Sequence, residues 1–331
     1  MNAVPATESC NSIQALNAAL AEALESDPRV LVFGEDVADP EGGGVVGVTR
    51  GLSNRFGERR VRSTPISEQA IIGAAIGAAI AGYRPVAEIM LMNFTTVAMD
   101  MIVNHAAKLR FMSGGQIHVP LTIRMLTGAG FSGGGQHTDY LEAWFAHTAG
   151  LKVVAPSNPA DAKGLLLSCI FDDDPCIFIE NLPLYRVPGP PLPPGERIPL
   201  GKASIARSGS DVSIVAHSRM VQNSLAAAEL LTKESISTEV IDLRTIAPWD
   251  RTTVLESVAK TRRAVIVHEA VRQFGIGAEL AAVIQEELFG RLRGPVRRVA
   301  APFCPVPFSK PLESAFVPSA EQIAAAARSL A

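Results

Sequence analysis

The sequence predicts an α/β fold made of two parallel-sheet α/β domains. Strand-like segments alternate with helical segments along the 331 residues, and the strand-like segments are apolar throughout instead of at every second position. Continuous apolar strands are typical of a parallel sheet that helices cover on both faces. The alternation is interrupted by the segment NLPLYRVPGPPLPPGERIPLG, whose prolines exclude helix and central strand. We therefore predict a first domain over 1–182, a linker over 183–200 and a second domain over 201–331.

The first domain is expected to begin with an amphipathic helix, because Ile13, Leu16 and Leu20 recur at helical spacing. Further helical patterns begin near Glu68, Thr95, Tyr140 and Pro159, the last with Ser157 and Asn158 as candidate caps. Strands are predicted between these helices and at the end of the domain, in the segments RVLVFGED, PVAEIML, VPLTIRM, LKVVAP and CIFIE.

The second domain repeats the alternation on a smaller scale. Its predicted strands are DVSIVAH, STEVIDL, AVIVHE and VRRVA, and its predicted helices are MVQNSLAAAELLTKE, TTVLESVAK, GAELAAVIQEELF and SAEQIAAAARSL.

Composition and charge argue against several kinds of partner and site. A formal net charge of −3 argues against a nucleic-acid or anionic-membrane partner, which requires a basic surface. The four cysteines are scattered without a CxxC pair, so neither a zinc site nor a disulfide framework is expected. The segment MNAVPATESC lacks the pattern of a signal peptide, and the apolar stretch 70–82 is too short to span a bilayer. We expect a cytoplasmic protein.

A glycine motif follows the predicted strand VPLTIRM. Gly128, Gly130 and Gly133 fit GxGxxG, but a dinucleotide site needs a helix to start there and an acid at the end of the next strand. The chain continues instead with GGGQHTD, and the next strand ends in VVAPSNP. A nicotinamide site is therefore disfavoured, and no GxxxxGK[ST] phosphate loop occurs.

His137 lies in the same glycine-flanked loop, beyond the carboxyl end of a strand. Ligands bind at that edge of open α/β sheets, and a histidine there can move protons near neutral pH. The alternative is a loop histidine that only bonds the backbone. His105, His147 and His268 are better explained as structural residues, and no spacing of histidines and acids predicts a metal site.

Glu68 is a single acid directly before a run of small apolar residues, AIIGAAIGAAIAG. An acid in the first turn after Ser67 favours the helix dipole, which explains an exposed carboxylate. A buried carboxylate would instead need a hydrogen-bond donor, such as a ligand nitrogen. Both explanations stay open on the residues alone. The helix itself, apolar on all sides, is expected to be fully buried in the core or in a subunit interface.

Several segments together resemble a known family. They are TPISEQAIIGAAIGAAIAGYRPVAEIM, AAKLRFMSGG, AWFAHTAGLKVVAPSNPADAKGLL and EVIDLRTIAPWD, together with NF at 93–94 and QH at 136–137. The chain is similar over nearly its whole length to the β subunit of the thiamine-diphosphate-dependent component of 2-oxo acid dehydrogenases, most of all the pyruvate and acetoin types. The resemblance implies a thiamine pyrimidine-binding domain followed by a transketolase-like C-terminal domain.

The resemblance also implies roles for individual residues. Glu68 would hydrogen-bond the aminopyrimidine of thiamine diphosphate, and Met92 and Phe94 would line that ring. His137 would assist acyl transfer from the cofactor. A structural potassium ion is implied at the positions Leu121, Cys169, Asp172 and Asp174.

The implied partners follow from a missing motif. Thiamine enzymes bind magnesium and diphosphate with a GDG motif, and this sequence contains none. The resemblance therefore implies that a separate α subunit supplies that half of the site in an αβαβ heterotetramer, and that a lipoyl-bearing acyltransferase accepts the acyl group. The substrate would be a small 2-oxo acid or acetoin.

Three alternatives stay open: an acyloin-forming or ketol-transferring thiamine enzyme in a biosynthetic route without a lipoyl partner, a branched-chain 2-oxo acid dehydrogenase subunit, and a non-catalytic scaffold. Glu68 and His137 together argue against the scaffold.

Overall fold

The structure is a computed structural model that describes residues 9–331. We predict no signal peptide from the segment MNAVPATESC. Most of that segment lies outside the described residues. Between residues 9 and 331 the backbone forms twelve strands: β1 (Val30–Glu35), β2 (Val61–Thr64), β3 (Arg84–Leu91), β4 (Thr122–Thr127), β5 (Lys152–Val154), β6 (Cys176–Asn181), β7 (Ser204–Arg207), β8 (Val212–Ala216), β9 (Thr238–Asp242), β10 (Thr245–Ala247), β11 (Ala264–Val271) and β12 (Arg297–Ala301).

The same part of the chain forms twelve α-helices: α1 (Ser12–Ser26), α2 (Leu52–Phe56), α3 (Glu68–Ile80), α4 (Thr95–Asp100), α5 (Leu109–Met112), α6 (Glu142–Ala146), α7 (Pro159–Ile170), α8 (Arg219–Thr232), α9 (Arg251–Thr261), α10 (Ile276–Leu288), α11 (Lys310–Phe316) and α12 (Ala320–Arg328). The long helix predicted from Thr95 onward is divided into α4, a π-helical turn over Met101–Ala106 and α5. Within residues 9–331 no helix has both the length and the apolar character that a bilayer crossing requires.

Two sheets organise these elements. The first has seven strands in the order β10-β5-β6-β4-β3-β1-β2, and the second has five in the order β12-β11-β8-β9-β7. Neighbouring strands are parallel except at two edges, where β10 pairs antiparallel with β5 and β7 pairs antiparallel with β9. The predicted two-domain α/β class is confirmed, and the sheets are parallel apart from these short edge strands.

The molecule has two halves, the first built on the seven-stranded sheet and the second on the five-stranded sheet. The edge strand β10 connects them. It follows β9 of the second sheet in the chain, yet it pairs with β5 of the first. The residues 187–203 that connect the halves contain no helix or ladder strand, and they are fixed on α7, where Ser168 Oγ donates to the carbonyl of Ile198 at 2.6 Å. The second half therefore both follows the first and completes its sheet.

Helix α3 is covered on one face only. Its buried side chains contact the first sheet and are Ile71, Ile72, Ala75, Ile76 and Ala79. On the opposite face Ala70, Ala74 and Gly77 are exposed, and we call these three residues the small-residue stripe. Within the single chain the helix is therefore not buried on all sides, so of the two expected settings, core or subunit interface, full burial in the core of this chain is excluded. Because these residues are small, another backbone could approach this face closely.

A buried ion cluster joins the central strands of the first sheet. The guanidinium of Arg124 on β4 donates from Nε and Nη2 to both carboxylate oxygens of Glu180 on β6, at 2.7 and 2.9 Å. Its Nη1 donates to Glu88 on β3 at 2.6 Å, and the Tyr185 hydroxyl donates to Glu180. Arg124 is only 2% exposed, so these contacts replace water as its hydrogen-bonding partners.

Replacing this arginine tests the importance of the cluster. Arg124→Met leaves two carboxylates in the sheet without their counter-charge, so we expect the free energy of unfolding to fall by about 3–5 kcal/mol. Urea unfolding of the purified chain measures the change. The matched control is Arg328→Met, which removes an exposed pair with Glu234 and should shift the midpoint far less. Equal midpoints for both variants would contradict this view of the cluster.

Candidate functional site

The carboxyl ends of β1 to β4 lie side by side at one edge of the first sheet. Three of the predicted site residues follow these strands directly: Glu68 begins α3 after β2, Phe94 ends a 3-10 turn after β3, and His137 lies in the loop after β4. The topology therefore brings them to the same edge, which is where ligands bind in open α/β sheets.

Glu68 is half-buried, and Ser67 before it makes no side-chain cap bond. Among residues 9–331 its carboxylate has no hydrogen-bond donor and no ion-pair partner. Two further acids lie close: burial raises the pKa of Glu35 at the end of β1, and the negative charges of Asp36 and Glu68 raise it further. This acidic corner favours a ligand group that donates a proton. Glu35 is not among the residues that the sequence predicted for the site. The signal that could have identified it is its place as an acid at the end of the predicted strand RVLVFGED.

Phe94 and Met92 differ in what they present at this edge. Phe94 is half-buried and lies edge-on to the ring of His137, with ring centroids 5.7 Å apart and planes at 74°. The side chain of Met92 is fully buried, and its sulfur accepts a hydrogen bond from the Leu141 amide at 3.0 Å. This placement argues against direct contact between the Met92 side chain and a cofactor. Met92 supports the turn from inside the core.

One ring nitrogen of His137 has no hydrogen-bond partner. Its Nδ1 is buried and has no hydrogen-bond partner in the part of the chain that the structure describes. Buried polar atoms normally have a partner, so an unpaired one at a strand edge suggests a group absent from the single chain. The backbone amide of His137 does have a partner: it donates a hydrogen bond to the carbonyl of Gly134 at 3.2 Å.

Asn93 connects the turn before Phe94 to the loop that carries His137. Its Nδ2 donates to the Gly135 carbonyl at 3.2 Å and to the Asp139 carboxylate at 2.9 Å, and its Oδ1 accepts from the Asp139 amide at 3.2 Å. The sequence did not predict this role, because the contacts span more than 40 residues. The side chain fixes the spacing between Phe94 and His137.

The residues Gly128–Gly135, which we call the glycine loop, take an irregular path that needs glycine. Gly128 has φ of +107°, and a Cβ there would lie 2.8 Å from the amide of Asn181. No helix starts after Gly128, since a single 3-10 turn at Gly134–Gln136 follows. The loop thus lacks the helix start that a dinucleotide site requires, in agreement with the sequence.

The positions predicted for potassium lie at the other edge of the sheet. Leu121 precedes β4, Cys169 lies in the last turn of α7, and Asp172 and Asp174 lie between α7 and β6. The ammonium of Lys152 donates to both oxygens of Asp172, at 2.6 and 2.7 Å, and Arg110 pairs with Asp174. These carboxylates are therefore already neutralised, and within residues 9–331 no cluster of His, Cys, Asp and Glu suits a metal. The potassium site stays a prediction that would depend on peptide carbonyls.

A buried polar seam lies where the loop after His137 meets the second sheet. Tyr140 packs against His217 with ring centroids 5.7 Å apart, and burial lowers the pKa of His217 to about 3. Both oxygens of the Glu142 carboxyl are buried without a partner among the described residues. Burial raises the pKa of Glu142 to about 8, and the charge of Glu269 raises it too. Glu142 is therefore protonated at neutral pH.

Comparison with known proteins gives family matches over both halves. Residues 8–188 match the family described as "Transketolase, pyrimidine binding domain", and residues 201–323 match "Transketolase, C-terminal domain". The chain is 46% identical over 322 residues to the acetoin:2,6-dichlorophenolindophenol oxidoreductase subunit beta of Cupriavidus necator, with 95% of each chain covered. It is 45% identical over 317 residues to the pyruvate dehydrogenase E1 component subunit beta of Bacillus subtilis, covering 96% of this chain and 97% of that one.

A solved structure supports the fold. The chain superposes on a split gene transketolase, described as an inactive beta4 tetramer, with a TM-score of 0.79 over 96% of this chain and 97% of that one. The sequence identity is 22%, so this likeness concerns the fold alone.

The pKa of Glu142 predicts a pH dependence of stability. An unfolded glutamate titrates near 4.5 and the folded one at about 8, so the stabilisation from the bound proton is complete below pH 4.5 and is lost as the pH rises to about 8. Glutamine cannot titrate. We therefore expect the Tm of Glu142→Gln, relative to wild type, to increase steadily between pH 5 and pH 8, as thermal unfolding would measure.

The control for this experiment is Glu234→Gln. Glu234 is exposed and pairs with Arg328, which lowers its pKa, so it stays ionised throughout the same pH range. Its Tm difference from wild type should be flat over that range. A flat profile for Glu142→Gln as well would show that Glu142 is ionised in the folded chain.

Proposed function

The chain belongs to the transketolase-like family of β subunits found in pyruvate and acetoin dehydrogenases, and we propose that it acts as the β subunit of such a thiamine-diphosphate-dependent enzyme. The reaction would cleave a small 2-oxo acid or acetoin and transfer the acyl group to a lipoyl-bearing acyltransferase. The observation that carries this proposal is Glu68, a carboxylate without a partner within residues 9–331, at the sheet edge that also holds Phe94 and His137.

The groups at this edge fit the aminopyrimidine half of thiamine diphosphate. A free carboxylate can share a proton with a ring nitrogen, and the half-buried Phe94 offers an aromatic surface to a flat ring. The bound cofactor would act as an electron sink for the bond next to the oxo group. Glu68 would hold the proton at the ring nitrogen, and Glu35 beside it would keep this corner negative. The imidazole of His137 would hold a proton for acyl transfer.

The diphosphate half requires another chain. This sequence contains no GDG motif for magnesium and diphosphate. The relatives are named as beta subunits. We therefore assign magnesium and the diphosphate contacts to an α subunit in an αβαβ heterotetramer, with the exposed small-residue stripe of α3 as part of the contact. A potassium ion and a cytoplasmic location stay predictions.

Substitutions at Glu68 and His137 test the site after reconstitution with the α subunit. Glu68→Gln should lower cleavage of the substrate by roughly two to four orders of magnitude, because glutamine cannot share the ring proton. His137→Asn should lower transfer to a lipoylated acceptor far more than it lowers cleavage, because it removes only the later proton donor. A dye that accepts electrons directly measures cleavage, and a lipoylated protein domain measures transfer, across a panel of pyruvate, branched 2-oxo acids and acetoin.

Size-exclusion chromatography of each complex is the control for assembly. Full activity of Glu68→Gln, or turnover by the chain without an α subunit, would overturn the proposed function. Equal losses of cleavage and transfer in His137→Asn would remove the specific role of His137.

The small-residue stripe predicts where the α subunit approaches. Ala74→Gln places a long side chain on the exposed face of α3, where it does not disturb the core of the isolated chain. We expect it to weaken association with the α subunit while the Tm of the isolated chain is retained. Ala325→Gln on the exposed surface of α12 is the matched control. If both variants assemble like wild type in analytical ultracentrifugation, α3 is not the contact.

A further inference from the structure

The glycine loop belongs to the first half of the molecule, but side chains of the second half bind its backbone. The Ala129 amide donates to Oε1 of Glu269 on β11 at 2.8 Å. The Gly130 amide donates to Oε1 of Glu313 on α11 at 2.7 Å. The carbonyl of Ala129 accepts from Nη1 of Arg219 on α8 at 2.6 Å. Three elements of the second half therefore hold two neighbouring residues of the loop.

Glu313 makes the larger number of these contacts. Its carboxylate also accepts from the Ser132 amide, at 3.2 Å to Oε1 and 3.1 Å to Oε2. The side chain is buried, with 3% of the residue exposed, so the loop amides replace water for this carboxylate. Backbone amides that converge on an anion form a small cradle, a geometry known from phosphate-binding loops. Here a carboxylate of the same chain occupies the cradle.

The backbone of the loop needs this support. Ser132 has φ of +61°, in the left-handed region that a residue with a side chain rarely adopts. Such a conformation persists only where surrounding contacts hold it. The contacts from Ser132 to Glu313 provide them, five residues before His137.

The C-terminal end of the glycine loop packs against the segment that leads into α11. A Cβ on Gly134 would lie 2.5 Å from the ring of Phe308, and a Cβ on Gly135 would lie 3.0 Å from Pro305. The Asn93 side chain holds the carbonyl of Gly135 from the other side. His137 therefore follows a loop that is fixed by Glu313 and Phe308 on one side and by Asn93 on the other.

We propose that Glu313 is a positioning residue for His137: by binding the amides of Gly130 and Ser132, it sets the path of the glycine loop and so the place of the imidazole at the site. This inference rests on the proposed function for its catalytic consequence. Glu313 touches no reacting group and acts through the loop alone. It makes the transfer step depend on the second half of the molecule.

The test compares wild type with Glu313→Gln in the complex reconstituted with the α subunit. With its oxygen in the place of Oε1, glutamine still accepts from Gly130, but its NH2 group in the place of Oε2 turns a donor toward the Ser132 amide and removes the 3.1 Å contact. We expect faster hydrogen–deuterium exchange in peptides covering 128–141. We also expect acyl transfer to a lipoylated domain to fall roughly tenfold to a hundredfold, while dye-linked cleavage changes by less than about threefold.

The matched control is Glu234→Gln, the same chemical change in an exposed ion pair of the second half, which should leave exchange and both activities unchanged. If Glu313→Gln does not fold, Glu313→Asp replaces it, since the shorter side chain draws the carboxylate away from the loop. Unchanged exchange in 128–141 would overturn the proposal. Equal losses of transfer and cleavage with a lower Tm would also overturn it, in favour of a role in domain packing alone.

The two proposals fail in different ways. If the wild-type complex cleaves neither a 2-oxo acid nor acetoin, the proposed function is wrong. The exchange measurement needs no activity, so it still decides whether Glu313 holds the loop.

Discussion

The hydrogen bonds between the glycine loop and two buried carboxylates connect the fold to its site. Glu269 and Glu313 lie in the second half of the molecule, where each would be costly as an unpaired ion in a dry environment. The loop amides of Ala129, Gly130 and Ser132 supply the donors they need. The same hydrogen bonds fix the path of the loop, in which several residues have positive φ. The loop and the two acids thus satisfy each other's hydrogen-bonding groups, and Asn181 supplies a further donor to Glu269.

Charged groups are treated differently in the core and at the edge of the first sheet. In the core, Arg124 gives both Glu180 and Glu88 a partner, so the cluster is closed. At the carboxyl edge, Glu68 and Nδ1 of His137 have no partner among the residues that the structure describes. Unsatisfied polar groups are rare in folded proteins and mark places where something else binds. Glu68 and His137 are the two groups at this edge that we propose to act on the cofactor.

The sequence predicted the long buried strands, because continuous apolar runs such as CIFIE leave little alternative. It missed β2, β7 and β10, which have only three or four residues and no distinctive pattern. Family resemblance assigned Glu68, Phe94 and His137 to one cofactor, and the position after a strand indicated the sheet edge for His137 alone. The burial of Met92 and the contacts of Glu313 depend on residues far apart in the chain, which local patterns do not encode. For α3 the sequence left core and subunit interface open as alternatives, because an apolar helix looks the same in both, and only the structure shows that one face is uncovered in the single chain.

The pairing of β10 with β5 has a consequence for the nascent chain during synthesis. Until residue 247 has emerged from the ribosome, β5 is an uncovered sheet margin that presents free amide and carbonyl groups. A nascent first half would therefore be prone to pair with other strands, and its core would also lack Ile246 until β10 is added. Strand β10, which is translated with the second half, thus covers the exposed edge of the first sheet only late in synthesis.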